Sequence, residues 1–304
     1  MSLAHSVFEG CPRYDWVCSS VSNGDDVTFS EIRSHLLRSR NVAPDAEAEF
    51  LDPDLRRDLT DPFQVFPEME KAVEVIWNSI RNGETITVFS DYDADGVCAG
   101  AITIRVLRSL GASAESFIPD RKTEGFGISS AAAHRCLSEH PTAKLWITVD
   151  CGIAAAAELS AVRAQGVKVV VTDHHELTGE RPQVEALINP HVECRDERAG
   201  DLCGAGVAFK LAQALVVAGK RNGYYAGDQM AGRLLPLAAL ATVADSVTLL
   251  GENRLIVSSA LKRWSNVAPA GLRALHRAMT PRSEEVGART LGFAYAPCIN
   301  AAGR

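Results

Sequence analysis

The chain is 304 residues long, 46% apolar and 23% charged, which excludes the disordered and fibrous classes and allows one large or two modest domains. No apolar run approaches the ~20 residues of a membrane span, and Met1–Ser6 lacks the basic start and apolar stretch of a secretory signal, so a cytoplasmic protein with no membrane contact is expected. A net charge of −7, from 31 basic and 38 acidic residues, argues against a general basic surface for nucleic acid.

Residues 1–66 read as an N-terminal leader that packs on a main domain of 67–304. The leader opens with a polar, turn-rich stretch. Phe29–Ser39 has helical periodicity, Ala46–Leu51 is a second short helix, and Pro53, Pro62 and Pro67 then break regular structure. From Pro67 the spacing of Met69, Ala72, Val73, Ile76, Trp77 and Ile80 predicts an amphipathic helix, ended by Asn82-Gly83. Strands are predicted at Thr85–Ser90, Ser113–Ile118, Leu145–Val149 and Val167–Thr172, with helices at 97–110, 129–139 and 153–165 between them. A fifth strand is expected at Val184–Ile188. Strand and helix alternating at this spacing form parallel βαβ units, so the fold class is α/β, a parallel five-stranded sheet flanked by helices. After Cys203 the pattern turns mainly helical, at 204–219, 230–244, 252–264 and 269–279, with Pro236 expected to kink or split the second of these. The chain stops in a glycine-bearing loop, Asn300–Arg304, and reads as a piece of a longer protein.

The chemistry gathers at strand ends. Val88–Gly96 places Asp91, Asp93 and Asp95 directly after an apolar strand, and carboxylates so close repel one another unless a divalent cation intervenes. Asp150 ends the strand Leu145–Val149, and Asp173-His174-His175 ends Val167–Thr172. In a parallel sheet these ends share one edge, the edge where open α/β sheets bind ligands. Aspartate also caps helices, which explains one such terminus readily and three together poorly. Carboxylate with imidazole is the ligand mix of Mn²⁺, or of Mg²⁺ with waters. The eight cysteines are scattered, with no Cys-x-x-Cys pair, and read as small reduced hydrophobes, so a structural zinc is not expected. A fourth acid, Asp245, closes the apolar run 234–244; composition alone leaves it equally a solvated helix end. Two bound divalent ions would return about +4 locally, so the acidic balance does not exclude a polyanionic substrate.

Asp91-Tyr-Asp-Ala-Asp-Gly96, Val149-Asp-Cys-Gly152, Asp173-His-His175 and Thr242-Val-Ala-Asp245 resemble, in order and spacing, the motifs of the DHH phosphoesterases. Within them the match is closest to the bacterial branch of 5′→3′ exonucleases specific for single-stranded DNA. Phe50-Leu-Asp-Pro53, Ile118-Pro-Asp-Arg121, Glu124-Gly-Phe-Gly127, Leu202–Lys210, Gly251-Glu-Asn-Arg254 and Asn300–Arg304 extend the resemblance over about residues 30–304. It implies two metals, Mn²⁺ or Mg²⁺, with Asp91, Asp93 and Asp150 on one and Asp95, Asp150, His174 and Asp245 on the other. It also implies a catalytic His175 beside the scissile phosphate, with Asp173 orienting the pair. Arg121 would meet the 5′-terminal phosphate and Arg304 the reacting phosphate, with Asn300 and Gly303 shaping the last loop. Gly125 and Gly127 would let backbone approach a phosphate; Gly204 and Gly206 would do the same or serve tight helix packing.

The implied activity is metal-dependent hydrolysis of single-stranded DNA in repair and recombination, with a helicase or a single-strand-binding protein as candidate partner. The alternatives are a DHH phosphodiesterase acting on short oligonucleotides or cyclic dinucleotides, and a non-catalytic replication scaffold of the same fold. Three positions bear on the choice. Asp91 stands where many DHH relatives carry His, as it does in the exonuclease branch. Ser90 replaces a usual Gly, and Cys298 a usual Arg. The family's C-terminal phosphoesterase-associated domain and nucleic-acid-binding barrel are expected to be absent from this chain.

Overall fold

A computed structural model describes residues 28–224, 230–279 and 285–302. The chain divides into two compact units between Asp52 and Pro53. In the first, helix Phe29–Arg38 is started by a capping box. Thr28 accepts the Glu31 N–H at 3.3 Å, and Glu31 accepts the Thr28 N–H at 2.8 Å. A single turn at Pro44–Ala46 and helix Glu47–Leu51 follow among the described residues of this unit. Residues 53–66 belong to the second unit, where Val65 and Phe66 are buried in the core.

The second unit is an α/β layer structure, as the strand and helix alternation predicts. Helix α1 (Met69–Arg81) buries the six apolar residues whose spacing announced it. Strands β1 (Thr85–Ser90), β2 (Ala114–Phe117), β3 (Ala143–Val149), β4 (Lys168–Thr172) and β5 (Ala186–Ile188) form one sheet in the order β2-β1-β3-β4-β5. All pairings are parallel. Helices α2 (Ala94–Ser109), α3 (Ser130–Glu139) and α4 (Ala156–Ala164) make the crossovers. Because successive strand residues face opposite sides, the sheet builds two cores. Ile86, Val88, Leu145, Ile147 and Val170 pack with α1, α2 and the later helices, while Phe89, Trp146, Val169 and Val171 pack with α3 and α4. The chain leaves β1 for β2 and returns past β1 to β3. The order therefore reverses between β1 and β3, and the crevice at that reversal is where open sheets bind ligands.

The helical region follows as α5 (Gly204–Arg221), α6 (Met230–Ala244), α7 (Gly251–Val267) and α8 (Ala270–Met279). Pro236 lies inside α6 without splitting it, which excludes one of the two expected outcomes. Leu234, Leu235 and Leu237 through Ala241 are buried around it, and that packing holds the helix across the missing hydrogen bond. The last segment is also not the expected loop. A π-helical turn, Leu291–Tyr295, runs into helix α9 (Ala296–Ala302), which carries Asn300. Gly303 and Arg304 lie outside the described residues. Among the described residues no helix is long and apolar enough to cross a membrane.

Candidate metal centre

Three of the sheet's carboxyl ends deliver the acidic cluster, and each turn has a local reason for its shape. After β1 the chain doubles back so tightly that a Cβ on Gly96 would lie 2.5 Å from the Asp91 carbonyl oxygen. Asp93 caps α2 by accepting the N–H groups of Asp95 (2.9 Å) and Gly96 (3.0 Å). Capping and site membership are thus not alternatives at Asp93. The helix begins at Ala94, earlier than the apolar periodicity indicates, and so carries Asp95 in its first turn. After β3, Asp150 takes a left-handed backbone (φ 60°), a conformation uncommon outside glycine. After β4, Asp173 is almost fully buried. It accepts the N–H groups of His174 (2.7 Å), His175 (3.2 Å) and Ile153 (2.9 Å) and lies 2.8 Å from His175 Nδ1.

These turns bring the predicted ligands together. Asp91, Asp93 and Asp150 offer atoms within 4.8 Å of one another. So do Asp95, His174 and Asp245, and so do Asp150, His174 and His175. His174 Nε2 is 3.2 Å from Asp150, 3.6 Å from Asp95 and 3.8 Å from Asp245. Asp245 follows the carboxyl end of α6, where the helix dipole disfavours a carboxylate. Its side chain is 30% exposed yet lies beside the His174 ring. Asp95 is buried with both oxygens bonded, to the N–H groups of Gly204 and Ala205 (2.7 Å each) at the amino terminus of α5.

The electrostatics are those of a site short of positive charge. Burial, reinforced by Asp95, Asp93, Asp173 and Asp91, pushes Asp150 well above the carboxylate range. Burial raises Asp95 to about 7 and, with Asp93 nearby, Asp245 to about 6. Asp91 is raised by burial and by Asp93. His174 is driven down to about 4, by burial first and His175 second, so its ring is neutral at pH 7. The hydrogen bond with Asp173 lifts His175 to about 9. Burial alone would raise Asp173, but its bonds to His175 outweigh that and hold it below the usual range. Buried oxygens on Asp91 and Asp150 (Oδ1 of each) have no hydrogen-bond partner among the described residues. Orphaned carboxylate oxygens beside a neutral imidazole are a donor set for a hard divalent cation. No cysteine enters the three groups, although Cys98, Cys151 and Cys203 are buried in the same unit. The residues fit Mn²⁺ or Mg²⁺ rather than zinc.

A model of the DHH family, N-terminal domain, matches residues 85–242, more than half of the chain. The chain belongs to the DHH family. It is 38% identical over 247 residues to the single-stranded-DNA-specific exonuclease RecJ of Bacillus subtilis, covering 81% of this chain and 30% of that protein. It is 36% identical over 249 residues to the same enzyme of Escherichia coli, covering 80% and 43%. The crystal structure of RecJ from Thermus thermophilus in complex with Mn²⁺ superposes with a TM-score of 0.70 at 32% identity, covering 89% of this chain and 36% of that one. The chain thus spans less than half the length of the curated relatives it matches.

The remaining predicted positions divide. Arg121 lies in the loop after β2, its guanidinium 5.1 Å from the Tyr92 ring and 4.9 Å from the Phe126 ring. The carboxylates that could make it a mere surface ion pair are engaged elsewhere: Glu124 binds Arg135 at 2.6 Å, and Asp120 accepts the N–H groups of Lys122 and Thr123. Gly125 and Gly127 both have left-handed backbone in this loop, and the Gly127 N–H bonds the Asp91 carboxylate. Gly204 and Gly206, by contrast, are buried and pack against protein, the second of the two roles expected of them. A Cβ on Gly204 would sit 2.4 Å from Asp150 Oδ1, and one on Gly206 would sit 3.0 Å from the Leu202 side chain. Asn300 turns inward too: its Oδ1 accepts the Ala94 N–H at 2.7 Å, tying α9 to the turn after β1.

Two groups escape a reading of the sequence. Asn189, just past β5, is buried and bonds the His175 carbonyl oxygen. Its position after a strand is the signal that marks the other residues, but its side chain carries no charge. Lys210 and Glu252, inside the motifs of α5 and α7, form a buried pair at 2.9 Å that also binds Thr60. Those motifs are framework, not chemistry.

Proposed function

We propose that this protein hydrolyses phosphodiester bonds of single-stranded DNA from the 5′ end, using two divalent cations. The observation that carries the reading is the convergence of five carboxylates and His174 on one sheet edge, with buried oxygens left without partners among the described residues. Asp91, Asp93 and Asp150 would hold one Mn²⁺ or Mg²⁺, and Asp95, Asp150, His174 and Asp245 the other. When bound, such a pair supplies a more acidic water and charge neutralisation at the phosphoryl oxygens. This chain's side chains do the rest. His175, held by Asp173, presents Nε2 as a donor to the scissile phosphate. Arg121, braced between Tyr92 and Phe126, offers its fixed fork of donors to a 5′-terminal phosphate. Phe126, exposed beside it, gives the terminal base a ring to stack on. Arg304 is assigned to the reacting phosphate by resemblance alone.

RecJ relatives are named for single-strand-specific exonuclease action, and one of their structures holds Mn²⁺. Both support this reading over a scaffold. In the same reading the chain works in the cytoplasm, in DNA repair and recombination, downstream of a helicase or single-strand-binding protein that exposes the strand. The test is degradation of 5′-labelled single-stranded DNA, a matching duplex, a short oligonucleotide and a cyclic dinucleotide, with Mn²⁺, Mg²⁺ or EDTA. Metal-dependent release of 5′ nucleotides from the long single strand alone is expected, and is lost in Asp150→Ala. Turnover confined to the short or cyclic substrates, or activity that persists in EDTA, would overturn it.

A further inference from the structure

His175 has four polar handles, and three of them are occupied. Its backbone N–H and its ring Nδ1 are bonded to the Asp173 carboxylate, at 3.2 and 2.8 Å. At that distance the Asp173 carboxylate accepts from Nδ1, which leaves Nε2 as the ring's other nitrogen. Its carbonyl oxygen accepts the Asn189 Nδ2–H at 2.9 Å. Asn189 is itself fixed. It is 1% exposed, and its Oδ1 accepts the His191 N–H at 2.8 Å. It directly follows β5, while the Asp173 N–H bonds the Ile188 carbonyl at 3.0 Å, so the turn after β4 is clamped from the neighbouring strand. Asp173 thus holds His175 from within its own turn, and Asn189 holds it from the next strand.

We propose that Asn189 is a positioning residue that sets the His175 ring, acting through one hydrogen bond to the His175 carbonyl. The inference rests on the catalytic reading of His175 given above. The bond leaves the carboxylate ligands untouched, since Asp91, Asp93, Asp95, Asp150 and Asp245 arise from other segments. Without it, the residue that must aim Nε2 keeps its ring anchor and loses its backbone anchor. Groups that orient a reactive histidine from behind typically contribute ~10–100-fold.

Asn189→Asp is isosteric, retains the acceptor for His191 and replaces the donor to His175 with a buried carboxyl oxygen. Asn189→Ser is its uncharged companion. With saturating Mn²⁺ and 5′-labelled single-stranded DNA, both should lose ~10–100-fold in kcat, with KM and Mn²⁺ affinity within about threefold of the parent. In a His175→Ala background the same changes should cost less than about twofold, because the residue they act through is gone. Losses that multiply in that background, a parallel fall in Mn²⁺ affinity, or a loss confined to the Asp variant would overturn the proposal. A metal-free readout separates it from the nuclease assignment. In ¹⁵N-histidine-labelled protein, the Nδ1–H resonance of His175, assigned by its absence in His175→Gln, should shift and exchange faster in both variants. An unchanged resonance would overturn the proposal even if the parent proves to be a nuclease; a changed one supports it even if the parent does not.

Discussion

Gly204→Ala tests whether the helix behind the cluster sets the geometry of the cluster. The new methyl would stand 2.4 Å from Asp150 Oδ1, 2.6 Å from its Cβ and 2.7 Å from its Cγ. Ordinary carbon contacts need about 3.5 Å, so something must yield by roughly 1 Å. Asp150 has little room to move, because its left-handed backbone is held by an N–H bond of 3.0 Å to the Thr172 carbonyl. If α5 retreats instead, the bonds from the Gly204 and Ala205 N–H groups to Asp95 lengthen from 2.7 Å to beyond bonding range. Either path displaces a carboxylate of the cluster. Overpacking costs about 1–3 kcal/mol and each lost charge-assisted bond about 1.5–3 kcal/mol, against a gain of up to about 1 kcal/mol for alanine over glycine in a helix. The net loss is up to about 2 kcal/mol if Asp150 yields and about 3–8 kcal/mol if α5 retreats and both bonds go, with a fall of about 10–100-fold in Mn²⁺ affinity. Gly206→Ala is the control: it lies on the same helix with the same propensity gain, and its contact at 3.0 Å is with the movable Leu202 side chain. Urea unfolding and calorimetric Mn²⁺ titration of both variants measure the two effects. If Gly204→Ala binds Mn²⁺ like the parent and unfolds like Gly206→Ala, α5 does not set the geometry of the centre.

Lys210→Met should destabilise the protein by about 3–5 kcal/mol, because it leaves the Glu252 carboxylate buried without its cation; in Lys210→Met/Glu252→Leu most of that loss should return, and additive costs in urea unfolding would refute the pairing. Asp173→Ala should lower kcat by about 10–100-fold and His174→Ala by more, since Asp173 is spent on backbone N–H groups and His175 while His174 faces three carboxylates; equal losses at saturating Mn²⁺ would make Asp173 a ligand. Arg121→Ala should reduce the preference for 5′-phosphorylated over 5′-hydroxyl single strands by about tenfold with the metal requirement intact, the loss of one bidentate charge-assisted contact. An unchanged preference would remove Arg121 from the 5′ end.

What can be read from the sequence and what cannot divide along chain distance. Asp91, Asp150 and Asp173 are legible because each immediately follows an apolar strand, and parallel strands place such residues on one edge whatever the rest of the chain does. The residues that hold them are not, because each acts across a long separation. Gly204 reaches Asp150, the N–H groups of residues 204 and 205 reach Asp95, Asn300 reaches Ala94, and Glu252 reaches Thr60. In local terms Gly204 is a weak helix residue, Lys210 a charge misplaced in an apolar run and Asn300 part of a terminal loop. Each becomes intelligible only once its partner is known. Pro236 is half legible for the same reason: its local cost is real, but burial on both sides of it keeps the helix from splitting. The positions proposed to meet substrate, Arg121 and Phe126, are half legible. Their loop is marked by Gly125 and Gly127, yet the stacking that aims Arg121 depends on Tyr92, from the turn after a different strand. The residues that would do the chemistry are thus encoded locally, and the precision with which they meet is encoded in pairs far apart. A change at Gly204, Asn189 or Asn300 is therefore expected to damage the centre while leaving every ligand residue in the sequence.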